Sequence, residues 1–529
     1  MQTVDEGKLF QSDAQLNVAE ARRLKSLADH RPNADNGYPI ILPSKPLQVI
    51  LDGDDAYVAQ NGFVAQRVNL KSGKVKATFR GHAGPVTSLA IFHHPITLQQ
   101  KRKILFTGSW DKTIKTWDVE TQVLLSTSTG HVDFVKSIHI ISTLGLLVSG
   151  STDRDIRLWD FKRSIESFEW SEIDAQYDAR KRAKVEANRT KTAHEIAAED
   201  AIEDAPGGLP NFNSPSLSTR AKWPGAMYGP MACLGTLKSH TRPIDSLNAF
   251  PTVCATEEET YSSRKNGTSP YLLVSADSMG TLKVWLVPSN LQAEQAVLDS
   301  TSWPHKTSIN DIQIGCDLRH DIDHQTTAQL WTASADNSVL HSTLHLLPSS
   351  AQRIVNILRI EQPYFVRCLL NLPLFFAQTI HSDSAFPNWL ITGSTDEDIR
   401  IFDLESLDDQ KHSTSSNHPI RKPAPSSSPR TVSNGWFGSL KAHWHEVNCL
   451  KIWIDSQTKQ CWLVSSGLDG TLRKWELSYL QLRFAPPQVG PKASHSAPCQ
   501  SKSDLKKEPQ FELTAEEEAE LAELMGEME

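Results

Sequence analysis

Cysteine is scarce in this chain and is never spaced as CxxC. The seven, at positions 233, 254, 316, 368, 449, 461 and 499, are also odd in number. They make neither a disulfide framework nor a zinc ribbon, and they read as free thiols of a reducing compartment. Long apolar runs are missing too. No stretch approaches the ~18 residues a membrane span needs, and a hydrophobic fraction of 39% with a mean hydropathy of -0.38 fits a chain diluted by polar linkers. An integral membrane protein is thereby excluded. Basic excess is absent: Lys+Arg 54 against Asp+Glu 62 leaves a net charge of -8. A protein that tracks phosphates needs the opposite balance, so no direct nucleic-acid partner is expected. Residues 1–8 hold no basic segment leading into an apolar one, so no secretory signal is read and an intracellular place, nucleus or cytoplasm, is expected. There is no glycine-rich phosphate loop, no nucleophile elbow and no paired carboxylates in a predicted cleft. Neither catalysis nor a cofactor is expected.

What the chain has is repetition. At 529 residues it exceeds one ordinary core. The segments FTGSWDKTIKTWD (106–118), VSGSTDRDIRLWD (148–160), ITGSTDEDIRIFD (391–403) and VSSGLDGTLRKWE (464–476) share one template. A small hydroxyl residue is followed four positions on by Asp and, six positions after that, by an aromatic residue. Altered copies stand at VSADSMGTLKVWL (274–286) and TASADNSVLHSTL (332–344). Short apolar runs flank each, in pairs joined by a tight polar turn, at a period of about 40 residues or more.

In these motifs the chain resembles the WD-repeat β-propeller family. In that family a His from the turn entering a blade, a Ser or Thr on the second strand, an Asp in the next turn and a Trp on the third strand form a hydrogen-bonded tetrad. The resemblance implies complete tetrads at His82, Thr107, Asp111 and Trp117, at His131, Ser149, Asp153 and Trp159, and at His443, Ser465, Asp469 and Trp475. Three blades depart from it. His240, Ser275 and Trp285 have Met279 where the Asp belongs. Thr332 and Asp336, with His305 as partner, have Ser342 in place of Trp. The blade ending in Phe402 keeps Thr392 and Asp396 with Pro363-Tyr364 near the expected His. These three are expected to lose polar bridging and to rely on packing. A Ser, His and Asp together invite a hydrolase reading, but a triad needs one exposed nucleophile, whereas this set recurs once per blade. Scaffold is the better reading.

Six templates give six blades, and Leu47 to Arg80 supplies a seventh as LQVIL, AYVAQ, FVAQRVNL and KVKATF, punctuated by Asp-Gly-Asp-Asp and Asn-Gly. The expected fold is all-β: a single seven-bladed propeller over 38–479 with disordered or helical insertions and tails. The last blade lacks an outer strand after Trp475, and Tyr38-Pro-Ile-Ile-Leu-Pro43 is its natural donor. The resemblance places the His and Asp turns on one tight face. Insertions 161–232, 252–270 and 405–435 leave from the other, with the tail. Within the first, Ser171 to Asp204 has helical composition, and Arg180, Lys181, Arg182 and Lys184 resemble a nuclear-import signal or simply a solvated helix face. The Ser/Pro-rich 405–435 reads as disordered. Residues 1–37 form an extension with a short helix carrying Val18, Ala21, Leu24 and Leu27. Residues 480–529 are a linker and an acidic amphipathic helix, 514–528, with Leu521, Leu524, Met525 and Met528 as a stripe fit for a partner's groove or for packing in cis. Cys316, His320, Asp321, Asp323 and His324 share a loop that reads as polar surface rather than as a metal site.

Residues beside each tetrad Asp and after each entering His should surround the central channel. Trp110, Arg154, Arg242, Phe365, Trp444 and His445 stand there, of the types enriched in binding hot spots. The expected function is a non-catalytic scaffold, a monomeric propeller within a multiprotein assembly, that takes other proteins or peptides on the tight face. Two alternatives stay open. One is a substrate receptor of a cullin-type ubiquitin ligase, for which Trp159-Asp160-Phe161-Lys162 is a loose motif match; the other is a propeller enzyme or metal-binding protein.

Overall fold

The computed structural model describes residues 37–95, 101–188, 226–251, 271–288, 295–315, 327–346, 353–379, 387–409, 429–433 and 435–484. The second strand of each blade is almost wholly buried, as in Asp55–Gln60, Leu146–Ser151 and Trp389–Ser394. Blades stacked on both sides cover both of its faces, so these strands read as unbroken apolar and small residues rather than as an alternation. The innermost strands, such as Val135–Ile141, mix buried with half-buried residues because one of their faces meets the central channel.

Seven sheets result, antiparallel throughout except for one strand added to the fifth. The innermost strands, in chain order, are Pro46–Asp52, Val86–Pro95, Val135–Ile141, Ile244–Pro251, Ile309–Gly315, Val366–Asn371 and Val447–Ile454. Each packs on the next, and the seventh packs on the first, which makes a closed seven-bladed β-propeller. Side chains rather than a backbone ladder stitch these strands together. Gln48 Oε1 accepts from Leu89 N–H at 2.6 Å, Asn248 Nδ2 donates to Ile312 O at 3.0 Å, Gln313 Nε2 to Leu369 O at 2.7 Å, and Asn448 Nδ2 to Pro46 O at 2.9 Å. Lys136 pairs with Asp245 between the third and fourth blades. The template glycine has a packing cause. A Cβ at Gly150 would fall 2.7 Å from Ile244 Cγ2, and one at Gly393 2.6 Å from Val447 Cγ1, so the opening residue of the next blade occupies the space a side chain would need.

Tyr38–Ile41 pairs antiparallel with Thr471–Glu476 as the outer strand of the seventh blade. Ile40 is buried there, and the Tyr38 ring meets Trp462 edge-on at 5.7 Å. Closure thus joins chain segments some 430 residues apart by the ladder Tyr38↔Lys474 to Ile41↔Thr471.

Two insertions are more ordered at their ends than their composition suggests. The first starts with helix Phe161–Glu166, whose N-cap Asp160 accepts from Arg163 N–H, and continues in helix Trp170–Asn188. Arg102 docks the longer helix: it binds Asp118 at 2.8 Å and Asp174 at 2.8 Å, and its guanidinium lies 4.7 Å from the Trp170 ring centroid. The expectation that 405–435 is disordered is corrected at both ends. Leu404–Asp409 is a helix, and Arg430–Ser433 adds a fifth strand to the fifth blade, parallel to Ile354–Glu361. Composition missed it because four residues need little area of their own when a sheet edge supplies backbone partners, Val432 packs on the cluster of Leu407 and Trp436, and Ser433 Oγ donates to Glu361 at 2.8 Å.

Lys181 and Arg182 are exposed on helix Trp170–Asn188, while the side chains of Arg180 and Lys184 lie outside the described residues. Also outside them are the expected helix over Val18–Leu27, the segment 252–270, the loop of Cys316 to His324, and the C-terminal 485–529 with its helix 514–528. No helix among the described residues is long and apolar enough to cross a membrane.

Candidate interaction face

In blade 2 a chain of hydrogen bonds runs inward from the tight face. Trp117 Nε1 donates to Thr107 Oγ1 at 2.9 Å, Thr107 Oγ1 lies 2.7 Å from His82 Nε2, and His82 Nδ1 lies 2.8 Å from Asp111 Oδ2. An ionised carboxylate only accepts, so Nδ1 carries the proton and Nε2 accepts from the hydroxyl. Burial holds the His82 imidazole below its ordinary range, in keeping with a neutral ring. For Asp111, burial is the largest single effect and would raise the pKa, but the bonds from His82, Thr113 and the Ala83 N–H together outweigh it and hold the carboxyl well below the usual range. Blade 3 repeats the geometry: Trp159 Nε1 to Ser149 at 2.8 Å, Ser149 to His131 at 2.7 Å, and His131 to Asp153 at 2.8 Å. Blade 7 repeats it with Trp475, Ser465 and His443 at 3.1 and 2.8 Å, and His443 at 3.1 Å from Asp469, where burial, the largest single effect, is outweighed by the bonds from His443, Thr471 and the Trp444 N–H together, which lower the carboxyl to about 2. The hydroxyl residues Thr107, Ser149 and Ser465 are all 0% exposed and spend their protons on the ring, so none is a reachable nucleophile.

The three departing blades keep more polar bridging than expected. In blade 4 the acid is Asp277, not a residue at position 279: His240 Nδ1 lies 3.1 Å from Asp277 Oδ2, His240 Nε2 2.7 Å from Ser275, and Trp285 Nε1 donates to Ser275 at 2.9 Å. Ser275 and Asp277 stand two apart on one strand and so share a face, which lets one imidazole reach both. Blade 5 joins His305 to Asp336 at 3.0 Å and to Thr332 at 2.8 Å; with Ser342 at the Trp position, Trp331 instead stacks on His341 at 4.2 Å. In blade 6 the partner of Thr392 is Gln362, at 3.1 Å, rather than a residue at 363–364. Asp396 there is bound by Arg400, whose guanidinium lies 5.2 Å from the Trp436 ring centroid. Blade 1 has no such set and buries Gln60 against Gln66 at 2.7 Å.

The tetrads also fix what the tight face displays. In four blades the residue after the His donates its backbone N–H to the Asp that the His binds: Ala83 to Asp111 at 3.0 Å, Val132 to Asp153 at 3.0 Å, Lys306 to Asp336 at 3.1 Å and Trp444 to Asp469 at 3.2 Å. Their side chains are thereby turned outward on pinned backbone. Trp444 is 51% exposed, and Phe365 is 51% exposed. Arg154, Arg242 and His445 are exposed as well, Arg154 in a left-handed turn with φ 74 and His445 Nδ1 accepting from Glu446 N–H at 2.8 Å. Trp110 stacks face to face on Phe134 at 5.0 Å with an interplanar angle of 15°. Val132, Phe134, Met279 and Tyr364 are exposed apolar neighbours that the sequence reading left out. The position after the histidine was the signal that would have found Val132. Trp159 and Asp160 of the ligase-like motif are otherwise engaged, the first in a tetrad and the second as a helix cap. Among the described residues no group of His, Cys, Asp and Glu is arranged to hold a metal ion, and Cys233, Cys368, Cys449 and Cys461 are unpaired thiols.

Comparison with known proteins agrees with this geometry. The family model for the WD domain, G-beta repeat, matches residues 73–118, 122–160 and 437–476. These are the regions of three of the tetrads. An uncharacterized WD repeat-containing protein of Schizosaccharomyces pombe is 25% identical over 541 aligned positions, which span 99% of this chain and 100% of that protein. The COMPASS component SWD3 of Saccharomyces cerevisiae is 34% identical over 110 residues, 21% of this chain and 32% of its own length. The pre-mRNA-splicing factor PRP46 of Candida albicans is 45% identical over 58 residues, 11% of this chain and 15% of its own. With seven closed blades, repeated His–Ser/Thr–Trp bonding and these matches, the chain belongs to the WD-repeat β-propeller family.

Proposed function

We propose that the protein is a non-catalytic scaffold that holds a peptide or loop of a partner protein on its tight face, through Trp110, Arg154, Arg242, Phe365, Trp444 and His445. The observation that carries this reading is the exposed Trp110–Phe134 stack, 41% and 37% accessible, on short turns with hydrogen-bonded backbone, Trp110 N–H donating to Pro85 O and Thr152 N–H to Phe134 O, each at 3.0 Å. Large apolar rings are costly to leave in water, and holding them ready removes the ordering cost that a mobile loop would incur on binding. WD-repeat relatives bearing the names of a COMPASS component and a splicing factor fit a place in an assembly. Affinity purification with mass spectrometry tests the reading. Trp110→Ala combined with Trp444→Ala is expected to remove one set of partners while circular dichroism stays unchanged. Truncation at Pro509 is expected to remove a different set, held by 514–528. Retention of every partner by the doubly substituted, folded protein would overturn the tight-face assignment.

A further inference from the structure

At the other end of the channel, on the side from which the insertions leave, lies a cavity of about 870 Å³. This is within the range of roughly 300–1,000 Å³ that small-molecule sites occupy. Its wall is mainly apolar, with Leu51, Phe250, Ile314, Phe375 and Trp453 prominent, and a few polar side chains converge on it. Asn248 and Gln313 are already engaged in stitching blades together. Lys451 and His139 are not. Both line the cavity half-buried, and neither has a hydrogen-bond or ion-pair partner among the described residues.

The charge of Lys451 is balanced from a distance, but its donors are unfilled. Burial disfavours that charge, and the Cys449 thiol, the Asp311 carboxyl and the Cys368 thiol act against burial to hold the ammonium pKa above its ordinary range, although burial keeps both thiols protonated and so without a charge of their own. Asp311 spends one oxygen on Ile312 N–H at 2.9 Å and the other on Leu369 N–H at 3.0 Å. Cys368 Sγ donates to Val447 O at 3.5 Å and Cys449 Sγ to Val49 O at 3.4 Å. An ammonium with three donors in an apolar-walled cavity gains most from an acceptor that brings its own charge. His139 adds a neutral ring that can give or take one hydrogen bond, since burial brings its pKa down to about 4.

We propose that this channel mouth binds a small amphipathic carboxylate, with the carboxylate on Lys451 and the apolar body against the Phe250, Phe375 and Trp453 side. The site is separate from the tight face and does not depend on the scaffold reading. Isothermal titration calorimetry of the full chain with octanoate tests it, with octanol and octylammonium as probes of the same chain length. Octanoate is expected to bind saturably, octanol more weakly and octylammonium not at all. Lys451→Met, which keeps the apolar bulk, should weaken octanoate about tenfold or more, the size of a lost charge-assisted hydrogen bond. Lys451→Gln serves as the second variant if the Met form loses its circular dichroism signature. Absence of saturable octanoate binding, octanol binding as tightly as octanoate, or a folded Lys451 variant that binds octanoate like the unaltered protein would each overturn the proposal.

Discussion

The Nδ1 proton of a buried blade histidine needs an acceptor, and a carboxylate supplies it from whichever backbone position can reach. In five blades that position is filled by Asp111, Asp153, Asp277, Asp336 or Asp469. The turn position in the fourth blade belongs to Met279, which is 52% exposed and bonds only through its backbone N–H to Asp277. The two roles can be separated by substitution. Asp277→Ala leaves the His240 proton and the N–H groups of Met279 and Thr281 without an acceptor, and should cost about 2 kcal/mol. Met279→Ala should stay within about 0.5 kcal/mol of the unaltered protein. Urea unfolding of the pair checks this, and equal losses would show that the acid of this blade has been misassigned.

At the scale of elements, the hairpin after each second strand demands one residue with positive φ. Phe63, Lys112, Arg154, Asn337 and Glu397 meet the demand with side chains, and Gly280 and Gly470 without them. The two groups should respond oppositely to substitution. Lys112 sits at φ 68, so Lys112→Gly relieves left-handed strain at some entropic cost and should be neutral or up to about 1 kcal/mol more stable. A Cβ at Gly280 would stand 2.3 Å from the His305 carbonyl oxygen, so Gly280→Ala should destabilise by about 3 kcal/mol. Thermal unfolding of both variants measures the difference in sign. These turns were placed correctly from the repeated template, and the strands flanking them with it. The fifth strand Arg430–Ser433 was not legible, because its four residues carry no periodicity and its partner edge, Ile354–Glu361, lies some 70 residues earlier in the chain.

For the whole molecule, ring closure is the event on which every blade depends. An open ring would expose the edge at Thr471–Glu476 and leave Ile40, Leu42 and the rings around Trp462 without their neighbours. Deleting residues 1–45 should therefore lower stability by about 3 kcal/mol or more, the scale of removing two large buried side chains. Deleting 485–529 removes none of the strands in the seven sheets and should leave the unfolding temperature unchanged. Similar losses from both deletions, measured by differential scanning calorimetry, would contradict closure by Tyr38–Ile41.

The sequence by itself determined the repeat and the blade count, because both rest on local spacing: two residues per pleat, one polar turn, one blade per template; the three full tetrads were what the family resemblance implied, and the donor of the last strand followed from the outer strand that the last blade lacks. Only the tertiary structure decided which acid serves His240, that Gln362 and Arg400 replace the usual groups in the sixth blade, and that Trp110 stacks on Phe134 across two blades. It alone also gathered Lys451, His139 and Asp311, from the seventh, third and fifth blades, into one channel. Such groupings join residues tens to hundreds of positions apart, and a side chain's reach across a closed ring leaves no mark on the local pattern of the chain.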